Sequence, residues 1–225
     1  MKALTIAPLK YHLRIYRREH LALPAGLWAL FVLMVLFMRD DAQRTFDVAG
    51  AFLGFVLPLM AGILAASAVV EDPALELQLA APRAPWRILV ERLAALLGVV
   101  TLAAVAYQLY LATMGVDLSS LGDPAARQLG WLVPSLALMG LASLTALALV
   151  QGTGGALLVG LVWLLQILGR KWFIDSRWAR YLFLFMRARY AAHPSLAANE
   201  LCLTGLAVVL IAAAGWLLRK TERYL

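Results

Sequence analysis

Chemistry needs polar groups that converge, and this chain of 225 residues offers few of them. Its three histidines, His12, His20 and His193, are scattered, two beside a run of arginines and one before a proline. The sequence has no His-Glu-x-x-His zinc pair, no Gly-x-Ser-x-Gly nucleophile turn and no aspartate cluster for divalent metals. Cys202 is the single cysteine and stands in an apolar run, so the chain cannot build a disulfide or a thiolate metal site alone. No catalytic residue, metal ligand or cofactor site is assigned, and the chain is not expected to be an enzyme.

A second set of polar residues interrupts long apolar runs. A polar side chain in hydrocarbon is costly, so it either lines a path or bonds to a neighbouring helix. Tyr107, Gln108, Tyr110 and Gln166 are the candidates for a path, with a bond between helices the preferred role for Gln108. A third set is basic. The net charge is +7, but the cations are divided among the N-terminus, the edges of apolar runs and the tail, which fits a membrane surface and not a nucleic acid. Arg177, Arg180, Arg187 and Arg189 stand amid aromatic residues and are candidates for contact with lipid phosphates or an anionic substrate.

The fourth set is the segment from Glu71 to Arg92. Asp72 as N-cap and Pro73 at the first helical position start a helix, and Pro82 stops it after about two turns. Leu75, Leu79 and Pro82 share a face while Glu76 and Gln78 point elsewhere. Such a helix lies across a membrane surface and offers itself to a cytoplasmic partner.

The elements that position these groups follow from composition. With 63% hydrophobic and 15% charged residues, the chain has more apolar surface than one soluble core of its size could hide. A span needs roughly 20 apolar residues. Six runs are proposed: 21–38, 49–70, 88–114, 129–150, 154–168 and 201–218. The first is long for a signal peptide and ends in Met38-Arg39-Asp40 without a small-residue cleavage pattern, so it is read as a retained span. Pro24, Pro58 and Pro134 mark possible kinks. Polar loops are expected over 39–48 and 115–128, and a tight turn over 151–155 should fold spans four and five into a hairpin. Before them, residues 1–20 form an amphipathic interfacial helix, with Leu9, Leu13 and Tyr16 on one side and Lys10, Arg14, Arg17 and Arg18 on another. The fold class is all-α integral membrane, in two parts: the interfacial helix 1–20 and a transmembrane domain over 21–225.

Orientation follows from counting Lys and Arg. With both termini cytoplasmic, eleven lie inside and nine outside, six of the nine in the last loop, 169–200. The stretch 129–168 is 40 residues, right for two spans of about 20, so the count of six is kept. Trp172 to Tyr190 is too short to span and too apolar for water.

An acidic residue ending span two, then Leu75-Glu76-Leu77-Gln78-Leu79-Ala80-Ala81-Pro82, then a basic residue before span three, resembles the membrane subunit of type-2 ATP-binding-cassette exporters. In that family the pattern marks the coupling helix that docks in the ATPase subunit. Glu71, Glu76, Leu77, Leu79 and Pro82 match it; the usual glycine before the Leu-Glu is absent, and Asp72-Pro73 stands near its place. The architecture is similar over the whole chain, and the resemblance implies that Trp172 to Tyr190 is a short re-entrant or interfacial segment on the outer face before the last span. No Gly-x-x-x-x-Gly-Lys-Ser/Thr loop occurs, so the resemblance implies a separate soluble P-loop ATPase that binds ATP and Mg. It also implies a second permease chain, surrounding lipids, and a bacterial inner membrane. Two other classes share this composition: a non-transporting assembly or regulatory protein, and an embedded lipid or glycan enzyme, which would need convergent polar residues.

Overall fold

The computed structural model describes residues 18–70, 85–119 and 122–219, and every regular element among them is helical. The interfacial helix expected over 1–20 lies outside the described residues except for 18–20, and the coupling helix expected over Pro73–Pro82 lies outside them entirely.

Helix α1 is Arg18–Phe37. Four residues later Asp41 caps α2, Ala42–Ala51, its carboxylate accepting the Arg44 N–H at 3.0 Å. The loop expected over 39–48 is therefore corrected to a turn at 38–41. Its polar residues serve the new helix: Gln43 donates to Asp47 one turn on, and the Thr45 hydroxyl donates back to the Met38 carbonyl at 2.7 Å. The helix continues through a π-helical turn, Phe52–Val56, into α3, Leu57–Val70. Pro58 accounts for the irregularity, because its missing N–H leaves a carbonyl without its usual partner. The Leu57 N–H reaches back to Phe52, and the Trp163 indole N–H donates to the Phe55 carbonyl at 2.9 Å.

Helix α4 is Pro85–Thr113 and α5 is Pro124–Leu149. Asp123 caps α5 through the Ala126 N–H at 2.7 Å with Pro124 next, so this helix begins five residues before the expected 129. Between them Asp117 accepts the Ser119 N–H at 2.8 Å and the Ser119 hydroxyl at 2.9 Å. These bonds, backbone first, hold its carboxyl below the usual range. A depressed pKa stabilises the loop above the ordinary carboxylate range, and that contribution fades as pH falls through the lowered value.

Helix α6 is Gly152–Leu168, so the turn expected over 151–155 shrinks to Val150 and Gln151. Val150 takes φ 53°, a left-handed conformation that a β-branched residue adopts only under strain. After α6 come three short pieces: α7, Arg170–Asp175; a 3-10 turn, Ala179–Leu182; and α8, Met186–Arg189. The last helix, α9, is Leu196–Leu217, five residues longer at its start than expected.

Four helical stretches are long and apolar enough to cross a membrane: Ala42–Ala68, Trp86–Thr113, Pro124–Leu149 and Leu196–Leu217. The apolar helices Ala22–Phe37 and Gly152–Leu168 are shorter; the 17 residues of α6 measure about 25 Å at about 1.5 Å per residue. Helix α5 is central, with α3, α6 and α9 packed on it, while α4 lies against α3 and α1 against α2 and α4. Outward leucines such as Leu102, Leu157 and Leu201 are 70–75% exposed, a surface suited to lipid and not to water. The protein thus has the character of a helical membrane protein.

Candidate functional site

Chain direction sorts the polar residues to two ends. One end carries the exit of α3, the entry of α4 and the exit of α9; the other carries the 114–123 connection and the short pieces between α6 and α9.

At the second end the segment 170–189 folds back into the bundle. Phe183, Leu184, Phe185 and Met186 are buried, while the flanking Trp172 and Trp178 are exposed. Phe185 meets Phe55 of the π-helical turn at 4.6 Å between ring centres and Trp163 at 6.4 Å, edge to face. A Cβ on Gly54 would stand 2.7 Å from that of Ala188, so only glycine lets the segment seat on the π-helical turn.

Non-helical backbone at such depth survives only if its polar groups find partners. Two amides supply them. Gln166 of α6 accepts the Leu184 N–H at 2.7 Å and donates to the Leu182 carbonyl at 3.2 Å. Asn199 of α9, 1% exposed, donates to the Arg180 and Phe183 carbonyls, each at 2.9 Å. Beside it Glu200 pairs with Arg187, which donates from Nε and, at 3.0 Å, from a terminal nitrogen. The four candidate arginines therefore differ. Arg187 is committed to Glu200, and Arg189 lies 5.0 Å from the Phe55 ring centre. Arg177 and Arg180 lie over the neighbouring rings of Trp178 and Tyr181 at 5.7 and 5.6 Å.

The candidate path residues are tied into helix packing. Tyr107 is fully buried against Phe52, its hydroxyl without a hydrogen-bond partner among the described residues. Tyr110 donates to the Val32 carbonyl of α1 at 3.0 Å. Gln108 and Gln128 exchange a reciprocal pair of amide bonds, at 3.2 and 2.9 Å, that joins α4 to α5, and the Trp131 indole N–H adds a third at 2.8 Å. Gln108→Leu should cost about 1 kcal/mol, the scale of such bonds inside membranes. Gln128→Leu should cost more, because it also strands the Trp131 N–H; thermal unfolding in detergent compares the two. An open cleft of about 480 Å³ at this end is lined in part by Arg39, Gln43 and Asp117 over Val35, Phe46 and Met114.

No family model, curated protein or solved structure matches the chain. Function must be read from the chain itself.

At the first end one buried cation stands out. Arg92, 4% exposed, donates to the Ala68 carbonyl at 2.6 Å and so ties the exit of α3 to the entry of α4. These two helix ends flank residues 71–84. Among the described residues no three His, Cys, Asp or Glu side chains lie close enough to hold a metal. Sequence reasoning missed Asn199 and Glu200, treating them as loop; a polar pair at the head of an apolar run was the available signal.

Proposed function

We propose that this chain is the membrane-spanning permease subunit of an ATP-driven exporter of the type-2 ATP-binding-cassette class. It works as a dimer and is coupled to a separate P-loop ATPase. The observation that carries the reading is the motif from Glu71 to Pro82, set between two helices that Arg92 binds together. A push on that segment would then move α3 and α4 as one body, the mechanical requirement for rocking one half of a pathway against the other.

In this reading the two shorter apolar helices complete six spans, both termini are cytoplasmic, and the clamped segment 170–189 is the re-entrant element on the outer face. Arg177, Arg180 and Arg189 then stand where lipid phosphates or an exiting anionic cargo pass. The apolar spans favour a hydrophobic or amphipathic cargo.

The test is reconstitution of the full chain with its ATPase subunit in vesicles. Glu76→Ala with Leu79→Ala should abolish ATPase binding or ATP-driven transport while membrane insertion stays normal. Unchanged coupled transport would overturn the proposal. Labelling a cysteine introduced at Ser176 with an impermeant reagent should succeed from outside the cell.

A further inference from the structure

At the end opposite the clamped segment, residues of α4 and α9 line a cleft of about 570 Å³. Its walls are apolar, Leu89 and Val90 from one helix and Val208 and Ile211 from the other. Gly215 lines it close to the mouth, where an added Cβ would lie in van der Waals contact with Trp86, at 3.5 Å from its Cβ, so a larger side chain there would enter the cleft. Two exposed tryptophans, Trp86 and Trp216, mark the mouth, and Arg219 lines it. Arg87, just outside the lining, stands beside Trp86, its guanidinium carbon 5.6 Å from that ring centre. The nearest acid along α4 is Glu91, one turn beyond Arg87, yet neither Arg87 nor Arg219 forms an ion pair with a carboxylate among the described residues.

An apolar slot, an aromatic collar and two cations that have no carboxylate partner among the described residues occur here in the order in which a phospholipid presents its chain, interface and phosphate. The geometry points to a specific site for one anionic phospholipid, an acyl chain between α4 and α9 and the headgroup phosphate at Arg87 and Arg219. Charge argues against a second copy of the chain as occupant. A two-fold contact centred on this mouth would set the arginines of one copy against those of the other. The site borders the entry of α4, so its lipid steadies the helix that follows residues 71–84. The inference needs only a membrane and stands independently of the transport reading.

Native mass spectrometry of the purified full chain tests it, with phosphatidylglycerol and phosphatidylcholine of identical acyl chains as probes. The wild-type chain should retain one phosphatidylglycerol with a preference of roughly 10- to 30-fold, the scale for two arginines near an anionic surface. Arg87→Gln with Arg219→Gln should erase the preference and leave phosphatidylcholine binding unchanged. Gly215→Leu, which fills the cleft near its mouth, should weaken both lipids, and Val208→Trp does the same from two turns earlier on the same helix if the first variant fails to fold. A preference that survives the double arginine variant overturns the site. So does displacement of the lipid by inorganic phosphate, which would show that the acyl chain takes no part. Loss of a dimer in Gly215→Leu with lipid retained would instead make this face an interface between copies and likewise overturn the inference.

Discussion

Glu200→Leu is expected to destabilise the protein by roughly 3 kcal/mol and to expose the segment between α6 and α9 to trypsin. The side chains of Arg187 and Glu200 are only 19% and 16% exposed, so removing the acid leaves a guanidinium largely shielded from water with no countercharge. Stranding one member of a buried pair costs about 3–5 kcal/mol, and the residual exposure here sets the lower end. Arg177, Arg180 and Arg189 supply cleavage sites in the segment that the pair holds down. The companion variant, Arg187→Met with Glu200→Leu, should recover most of the loss, because an apolar pair of similar volume strands no charge. Equal proteolysis of the single and double variants would show that the ion pair does not hold the segment.

The same segment shows what the sequence could and could not reveal. Six arginines and lysines in the loop 169–200, with aromatic residues between them, were enough to mark Trp172 to Tyr190 within it as too short to span and too apolar for water. Which residues would be driven inward was not legible. All of Trp172, Trp178, Phe183 and Phe185 are large aromatics, yet the tryptophans, whose indole N–H suits an interface, face outward and the phenylalanines are buried. The buried phenylalanines also have partners, since Phe55 from a distant turn and Trp163, Gln166 and Asn199 from the two flanking helices converge on 182–185.

Helix existence was read from hydropathy alone, because lipid imposes a simple length rule. Helix starts were missed wherever a polar residue had a hidden use. Asp41 and Asp123 read as loop residues until their carboxylates were found on the N–H groups of Arg44 and Ala126. Glu91 and Arg92 looked equivalent at the start of a span; one is exposed and the other buried on the Ala68 carbonyl. Spacing on one helix cannot separate them, because the deciding acceptor is 24 residues away at the end of another.

The glycines of α6 give the sharpest remaining contrast. Lipid tails are as apolar as leucine, so helices in a membrane gain little from hiding apolar surface and depend on close contact. At Gly155 that contact is with backbone: an added Cβ would lie 2.9 Å from the Ala146 Cβ, 3.0 Å from its nitrogen and 3.1 Å from the Ala142 carbonyl oxygen. The Ala146 nitrogen and Ala142 carbonyl belong to the hydrogen-bonded closing turns of α5 and cannot easily step aside, so α5 and α6 must separate at this end. Gly155→Ala should therefore cost about 1–3 kcal/mol by overpacking, and Gly155→Leu more. Gly160, on the same helix, has nothing within 4 Å of its would-be Cβ. There alanine should be neutral or stabilising by up to about 1 kcal/mol, the usual gain over glycine in a helix. Thermal unfolding of the two alanine variants in one detergent decides the matter. If both lose stability equally, close approach at Gly155 is not what holds α6 to α5. If only Gly155→Ala loses it, the short α6 keeps its place through contact with α5 despite its 17 residues.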